Sequence, residues 1–188
     1  MKDLQKIYDS CIRFYDNCYD IVDRMSAGIK KIMESEGVNY NQEITLIQFD
    51  ILLQYSLLQI ASVDYEIDRN ELIFIRDLTR KGDLVNYLNT LSDSQISWDD
   101  IYQGDIFALR GILDSIEHKI KKLSEEFVIV FATCDLATEH NYLDDLTANI
   151  SCILLGLASM DGEITSTEMN SNCLIINALD QIKKIKCQ

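Results

Sequence analysis

The chain has 188 residues, 47% of them hydrophobic, and a formal net charge of −14. This length suits one domain with a substantial core, and the hydrophobic content excludes an intrinsically disordered chain. The acidity disfavours a nucleic-acid partner, because phosphate binding needs clustered Lys and Arg side chains.

The first two predicted elements are helices. Residues 2–36 place apolar side chains alternately three and four positions apart, which predicts a long amphipathic helix that ends at Gly37. Its apolar face can pack on its own domain or pair with a second copy of the chain. Residues 43–63 are apolar on nearly all sides, which predicts a central helix.

The middle of the chain predicts shorter helices separated by turns. One helix begins at Asp68 and stops at Gly82, and another covers 83–91. Ser97 and Asp100 have the spacing of a helix cap. We expect helices over 98–122, with breaks near Gly104 and Gly111, and over 124–140.

The last two predicted helices cover 144–160 and 165–185. No stretch alternates polar and apolar residues for long enough to predict a strand, and the ambiguous run at 125–134 has the flanking charges of a helix. The chain contains no proline, where average usage would give about nine. The sequence therefore predicts an all-α, single-domain bundle of seven to eight helices over 1–188.

An acidic elbow occurs twice in the chain. Residues 61–71 read ASVDYEIDRNE and residues 158–168 read ASMDGEITSTE, and each follows an apolar helix and precedes an amphipathic one. The matches extend into the preceding helix, where LLQIAS aligns with LLGLAS. We therefore predict two pseudo-symmetric helix–elbow–helix repeats, at 44–81 and 144–185.

The elbow residues have two interpretations. Asp68 with Glu71, and Thr165 with Glu168, have the spacing of capping boxes, which need no ligand. Capping leaves other carboxylates over, and like charges held together are costly unless a cation or an arginine offsets them. Hard oxygen ligands would select Ca²⁺ or Mg²⁺. An EF-hand is excluded, because Leu157 stands where the first calcium ligand would be.

The doubled pattern A-x-x-D-G-x-I-x-x-x-E between helices resembles the TerB-like tellurite-resistance proteins, and a related helical domain of membrane-anchored J-domain co-chaperones. The second copy matches with Asp161, Gly162, Glu163, Ile164 and Glu168, whereas the first has Tyr65 in place of the glycine. The resemblance covers about 44–81 and 144–185.

The resemblance implies a non-enzymatic stress-response or accessory protein that binds a divalent cation at its elbows and acts through protein partners. The implied metal ligands are Asp64, Asp68, Glu71, Asp161, Glu163 and Glu168. Two alternatives stay open. One is a metal-dependent hydrolase that uses carboxylates of both elbows, and the other is a scaffold that forms a homodimer through residues 2–36.

Other chemistry finds no support in the sequence. The six cysteines form no C-x-x-C pair and none has zinc spacing with a histidine, and neither P-loop nor G-x-G-x-x-G occurs. The first residues lack the apolar region of a secretory signal, and the apolar run at 150–160 is too short to span a bilayer. We expect a cytoplasmic protein with no catalytic residues and no membrane span.

Overall fold

The structure is a computed structural model that describes residues 2–63, 69–91, 95–103, 106–138, 140–160 and 164–186, without the side chains of 2, 3 and 178–186. These residues form eight α-helices and no strand, which confirms the all-α prediction. The helices are α1 (Lys2–Ser35), α2 (Gln42–Ala61), α3 (Arg69–Leu78), α4 (Leu84–Leu91), α5 (Trp98–Gln103), α6 (Ile106–Thr138), α7 (Tyr142–Ala158) and α8 (Ser166–Lys186).

Local signals place several helix ends as predicted. Gly37 follows α1 with a φ of 74°, and the N–H of Val38 donates to the carbonyl of Met33 at 2.9 Å. This is a Schellman ending, in which glycine takes the left-handed conformation at no steric cost. Before α5, the N–H of Ser97 donates to the Asp100 carboxylate at 2.8 Å, and the N–H of Asp100 donates to the Ser97 hydroxyl at 3.1 Å, which confirms that cap.

The predicted break within the sixth helix is wrong. We expected helices over 98–122 and 124–140, with breaks near Gly104 and Gly111. Gly104 lies outside the described residues, and α6 runs without interruption through Gly111 and from 122 to 124. Its buried face continues across both positions at helical spacing, through Leu109, Leu113, Ile116, Ile120, Leu123 and Phe127. Packing of this face offsets the roughly 1 kcal/mol that a helical glycine costs relative to alanine. The ambiguous run at 125–134 is helical, as predicted.

Helix α2 lies at the centre of the bundle. It packs against α1, α3, α4, α6, α7 and α8, and its buried side chains point in every direction around the helix axis. The prediction of a central helix is confirmed, and the physical reason is that a helix without a polar face must be covered on all sides.

Helix α1 packs on its own chain, mainly against α7 and α2. Its buried face contains small and large apolar residues: Cys11, Tyr15, Cys18, Ile21, Val22, Met25 and Ile29. Gly156 of α7 permits a close approach, because a Cβ there would overlap the Cys11 sulfur. Of the two arrangements left open for residues 2–36, this fold contains the intramolecular one.

One described helix is long and apolar enough to cross a membrane. It is α2, with a mean hydropathy of 1.4 in its most apolar window, and 67% of that window is buried inside the bundle. A buried core helix meets the same criteria of length and composition, so this is weak evidence for a span.

Candidate functional site

The direction of α1 relative to α2 follows from two contacts. The Gln42 side-chain amide donates to the Asp23 carboxylate at 2.6 Å, and the Tyr15 hydroxyl donates to Asp50 at 2.9 Å. Later residues of α1 therefore lie beside earlier residues of α2, and the two helices are antiparallel.

Helix α7 is also antiparallel to α1. The Cys18 thiol is directed at the carbonyl of Leu146 at 4.0 Å, and the Cys11 thiol at the carbonyl of Ile153 at 3.9 Å. Two helices that are both antiparallel to α1 run parallel to each other. The last residues of α2 and α7, Ala61 and Ala158, thus lie toward the same end of the bundle, and an elbow follows each.

Two of the six predicted metal ligands fall on described side chains. Asp64, Asp68, Asp161 and Glu163 lie outside the described residues. Glu71 is half-buried in the first turn of α3, and Glu168 is 5% exposed in the first turn of α8. No group of three or more His, Cys, Asp or Glu side chains that could hold a metal occurs among the described residues.

Glu168 has a capping role. Its carboxylate accepts from the N–H of Thr165 at 2.7 Å, and its own N–H donates to the Thr165 hydroxyl at 3.2 Å. The second capping box is therefore present as predicted. One turn later, Asn172 is 6% exposed and donates to the Ser151 hydroxyl of α7 at 3.2 Å, which ties α8 to α7.

A buried acid that the sequence analysis did not single out organises the loop between α3 and α4. Asp50 of α2 is fully buried, and one carboxylate oxygen accepts from three consecutive backbone N–H groups. These belong to Arg80 at 3.2 Å, Lys81 at 2.7 Å and Gly82 at 2.9 Å. Burial raises the pKa of Asp50, and the donated hydrogen bonds act in the opposite direction.

The partly exposed side chain of Arg80 lies next to the buried Asp50 and its partner Tyr15. Its guanidinium lies 5.4 Å from the ring centroid of Tyr15 and 5.3 Å from that of Tyr19, and it pairs with the Asp16 carboxylate. The cation thus stacks on two aromatic faces next to the buried acid. Both carboxylate oxygens of Asp50 accept hydrogen bonds from the fold, so we assign Asp50 a structural role.

A signal for Asp50 was present in the sequence. It is a carboxylate in a helix that is apolar on nearly all sides, and a buried charge requires partners. Gln54, one turn later, behaves alike, with its amide oxygen accepting from the N–H of Leu84 at 2.7 Å and its NH₂ group donating to Thr79 at 2.6 Å. The sequence could indicate that partners exist but not that residues 79–84 supply them.

A cleft between α2, α6, α7 and α8 is the second feature that the sequence analysis missed. Its cavity volume is about 510 Å³, within the range of small-molecule sites. The walls are mainly apolar, with Phe49 and Leu53 from α2, Val128 from α6 and Ile150 from α7 among them. Polar groups occur at Tyr55, Gln59, Glu117, Lys121, Ser124 and Glu125.

The chain matches no protein-family model, no curated protein and no solved structure. The TerB-like resemblance therefore depends on the two elbow motifs alone.

Proposed function

We propose that this chain is a non-enzymatic, TerB-like accessory protein that binds a divalent cation at its acidic elbows and acts through protein partners. What supports the proposal is the parallel direction of α2 and α7, because it anchors the beginning of both elbows toward the same end of the bundle. Carboxylates in two loops that start at neighbouring helix ends can bind one cation together, and the cation offsets their mutual repulsion.

Ca²⁺ and Mg²⁺ are the cations that this donor set favours, since carboxylate oxygens are hard ligands. The donors we propose are those of the repeated motif: Asp64, Asp68, Glu71, Asp161, Glu163 and Glu168. Because Glu168 already accepts one backbone N–H, it would contribute through its remaining oxygen capacity.

Calorimetric titration of Ca²⁺ and of Mg²⁺ tests this function. We expect binding heat with the wild type and an affinity at least about tenfold lower for Asp64→Ala/Asp161→Ala, which removes one carboxylate from each elbow. Asp20→Ala/Glu36→Ala is the matched control, because it removes one exposed acid of α1 and one exposed acid directly after it, and changes the net charge equally. Absence of heat in the wild type would reject the cation.

The hydrolase alternative makes a different demand on the elbows. A metal-dependent hydrolase needs carboxylates around a concave pocket with open metal positions. Neither Glu71 nor Glu168 lines the cleft between α2, α6, α7 and α8. Turnover of phosphate or carboxylate esters that depends on Mg²⁺ or Ca²⁺, and that Asp64→Ala/Asp161→Ala abolishes, would support the hydrolase instead.

The dimeric scaffold alternative concerns the apolar residues of α1 that stay exposed. Ile32 is 42% exposed and Met33 is 36% exposed, near the end of α1. Light scattering on the wild type and on Ile32→Asp/Met33→Asp tests the alternative. A dimeric mass that falls to the monomer in the variant would support pairing through residues 2–36.

A further inference from the structure

The cleft between α2, α6, α7 and α8 offers apolar surface to solvent. Its walls combine Phe49, Leu53, Val128 and Ile150 with side chains of similar character, while its open side faces water. Water gains little from contact with such walls, so an apolar molecule that enters the cleft is favoured by the surface that it removes from water.

The charged side chains of the cleft are two carboxylates and one ammonium group among its described lining residues. Glu117 and Glu125 flank Lys121 at one helical turn on either side along α6, so the charged groups among the described lining residues sum to a negative value. At the Tyr55 side, burial first and then the charges of Glu117 and Asp114 together raise the pKa of the phenol to about 12. The whole chain adds a formal charge of −14.

Two hydrogen bonds define the floor near Glu117. The Gln59 side-chain amide donates to the Tyr55 oxygen at 2.9 Å, and the Tyr55 hydroxyl is directed at the carbonyl of Leu113 at 3.5 Å. The hydrogen bonds of its hydroxyl group hold the aromatic ring of Tyr55 in place at this side of the cleft. An ammonium group beside Glu117 would meet a carboxylate and an aromatic ring, both of which favour a cation.

We propose that this cleft binds an elongated apolar amine, with its hydrocarbon chain between α2, α6 and α7 and its ammonium group at Glu117. A fatty carboxylate of the same length would bring a negative charge next to Glu117 and Glu125, where repulsion disfavours it. Neither of the described elbow acids, Glu71 and Glu168, lines this ligand site, and its test does not depend on the cation.

Three probes with the same ten-carbon chain test the head group. Decylammonium, decanol and decanoate are titrated below their aggregation limits into the full chain, and binding is followed by ¹⁵N chemical shifts. We expect decylammonium to bind at least about tenfold more tightly than decanoate, with decanol between them. Absence of binding for all three, or a preference for decanoate, would overturn the proposal.

Two substitutions on α6 test the position of the head group. Glu117→Gln should remove most of the preference for decylammonium over decanol, because it removes the carboxylate that we place beside the ammonium. Glu126→Gln is the matched control, since Glu126 lies on the same helix and does not line the cleft. An equal loss of preference in both variants would show that only the net charge of the chain matters.

Filling the cleft tests the position of the hydrocarbon chain. Ser124→Phe places a ring inside the cleft and should abolish decylammonium binding, whereas Ser115→Phe puts the same ring on the exposed side of α6 and should leave binding unchanged. Circular dichroism confirms that each variant is folded. If Ser124→Phe unfolds the chain, Ser56→Leu on the α2 wall provides the same test. Unchanged binding in the filled, folded variant would overturn the proposal.

Discussion

The contact between Asp50 and the loop after α3 requires glycine at position 82. A Cβ at Gly82 would lie 2.7 Å from the Cβ of Asp50 and would overlap the carbonyl oxygen of Ile47. Glycine therefore lets the loop after α3 approach α2 closely enough for three N–H groups to reach one carboxylate. The buried carboxylate of Asp50 needs these N–H donors, and the donors reach it only because glycine allows the loop to lie close to α2.

Alanine substitution at two glycines should have opposite effects on stability. Gly82→Ala forces backbone atoms of α2 and the loop apart, and we expect a loss of about 2–3 kcal/mol in the free energy of unfolding. Gly111→Ala should gain about 0.5–1 kcal/mol, because its Cβ would meet no atom within 4 Å and alanine favours a helix. Urea denaturation measures both. A stabilising Gly82→Ala would contradict the close approach.

The protonation of Asp50 should affect stability in a defined pH range. Burial raises its pKa in the folded state above the ordinary value of 3.8, so the folded chain binds the proton more strongly than the unfolded chain. The contribution of Asp50 to the free energy of unfolding is therefore largest at low pH. It decreases as pH rises from about 3.8 through the folded-state pKa and is constant above it.

Asp50→Asn measures this contribution. We expect a loss of about 1–3 kcal/mol at low pH, since the amide carries two N–H donors where the protonated carboxyl group carries one O–H, and the described groups facing this buried position are themselves donors. The stability difference between wild type and variant should narrow as pH rises above about 3.8, in denaturation curves at several pH values. Asp20→Asn, on the exposed side of α1, should change stability by less than about 0.5 kcal/mol at each pH.

At the scale of the elements, helix ends are determined by a few local side chains. The Thr165–Glu168 box begins α8, Ser97 with Asp100 begins α5, and Gly37 ends α1. The beginning of α7 is different, because the N–H of Tyr142 donates at 2.8 Å to Asp135, a residue of α6. Asn141, the residue before α7, makes no capping hydrogen bond with its side chain. At this helix start, a side chain of α6 therefore takes the place of a local cap.

Removing the cap of α8 should destabilise the chain modestly. Thr165→Ala leaves the N–H of Glu168 without its acceptor, and we expect a loss of about 1 kcal/mol in the free energy of unfolding. Thr167→Ala, an exposed position two residues later, should stay within about 0.5 kcal/mol of the wild type. Thermal and urea denaturation distinguish them. Equal effects of the two substitutions would argue against the capping role.

At the scale of the whole molecule, α1 connects the two helices that lead into the elbows. Its buried thiols, Cys11 and Cys18, lie against α7, while Tyr15 on the same helix reaches α2. Small side chains on both sides of the α1–α7 contact permit a close approach. The packing of the two helices that lead into the elbows therefore involves an element outside both predicted repeats, and the pseudo-symmetry of the repeats stays a prediction.

The reactivity of the cysteine thiols measures this packing. Cys152 and Cys173 are exposed, whereas Cys11, Cys18 and Cys134 are buried. Burial raises the pKa of Cys11 to about 11 and also raises that of Cys18, so little thiolate forms at neutral pH. In a Cys187→Ser background, we expect iodoacetamide to modify only the two exposed thiols until the chain unfolds. Mass spectrometry of labelled peptides measures this, and native labelling of Cys18 at the rate of Cys152 would contradict the fold.

By itself, the sequence determined the all-α class, most helix ends, the central position of α2 and the second capping box. These features depend on periodicity and on side chains within a few residues of each other, so they can be read locally. Only the tertiary structure decided that α6 is continuous, that Asp50 accepts from residues 80–82, that a cleft opens beside Tyr55 and that α2 runs parallel to α7. Each of these depends on contacts between residues distant in the chain, where packing outweighs local preference.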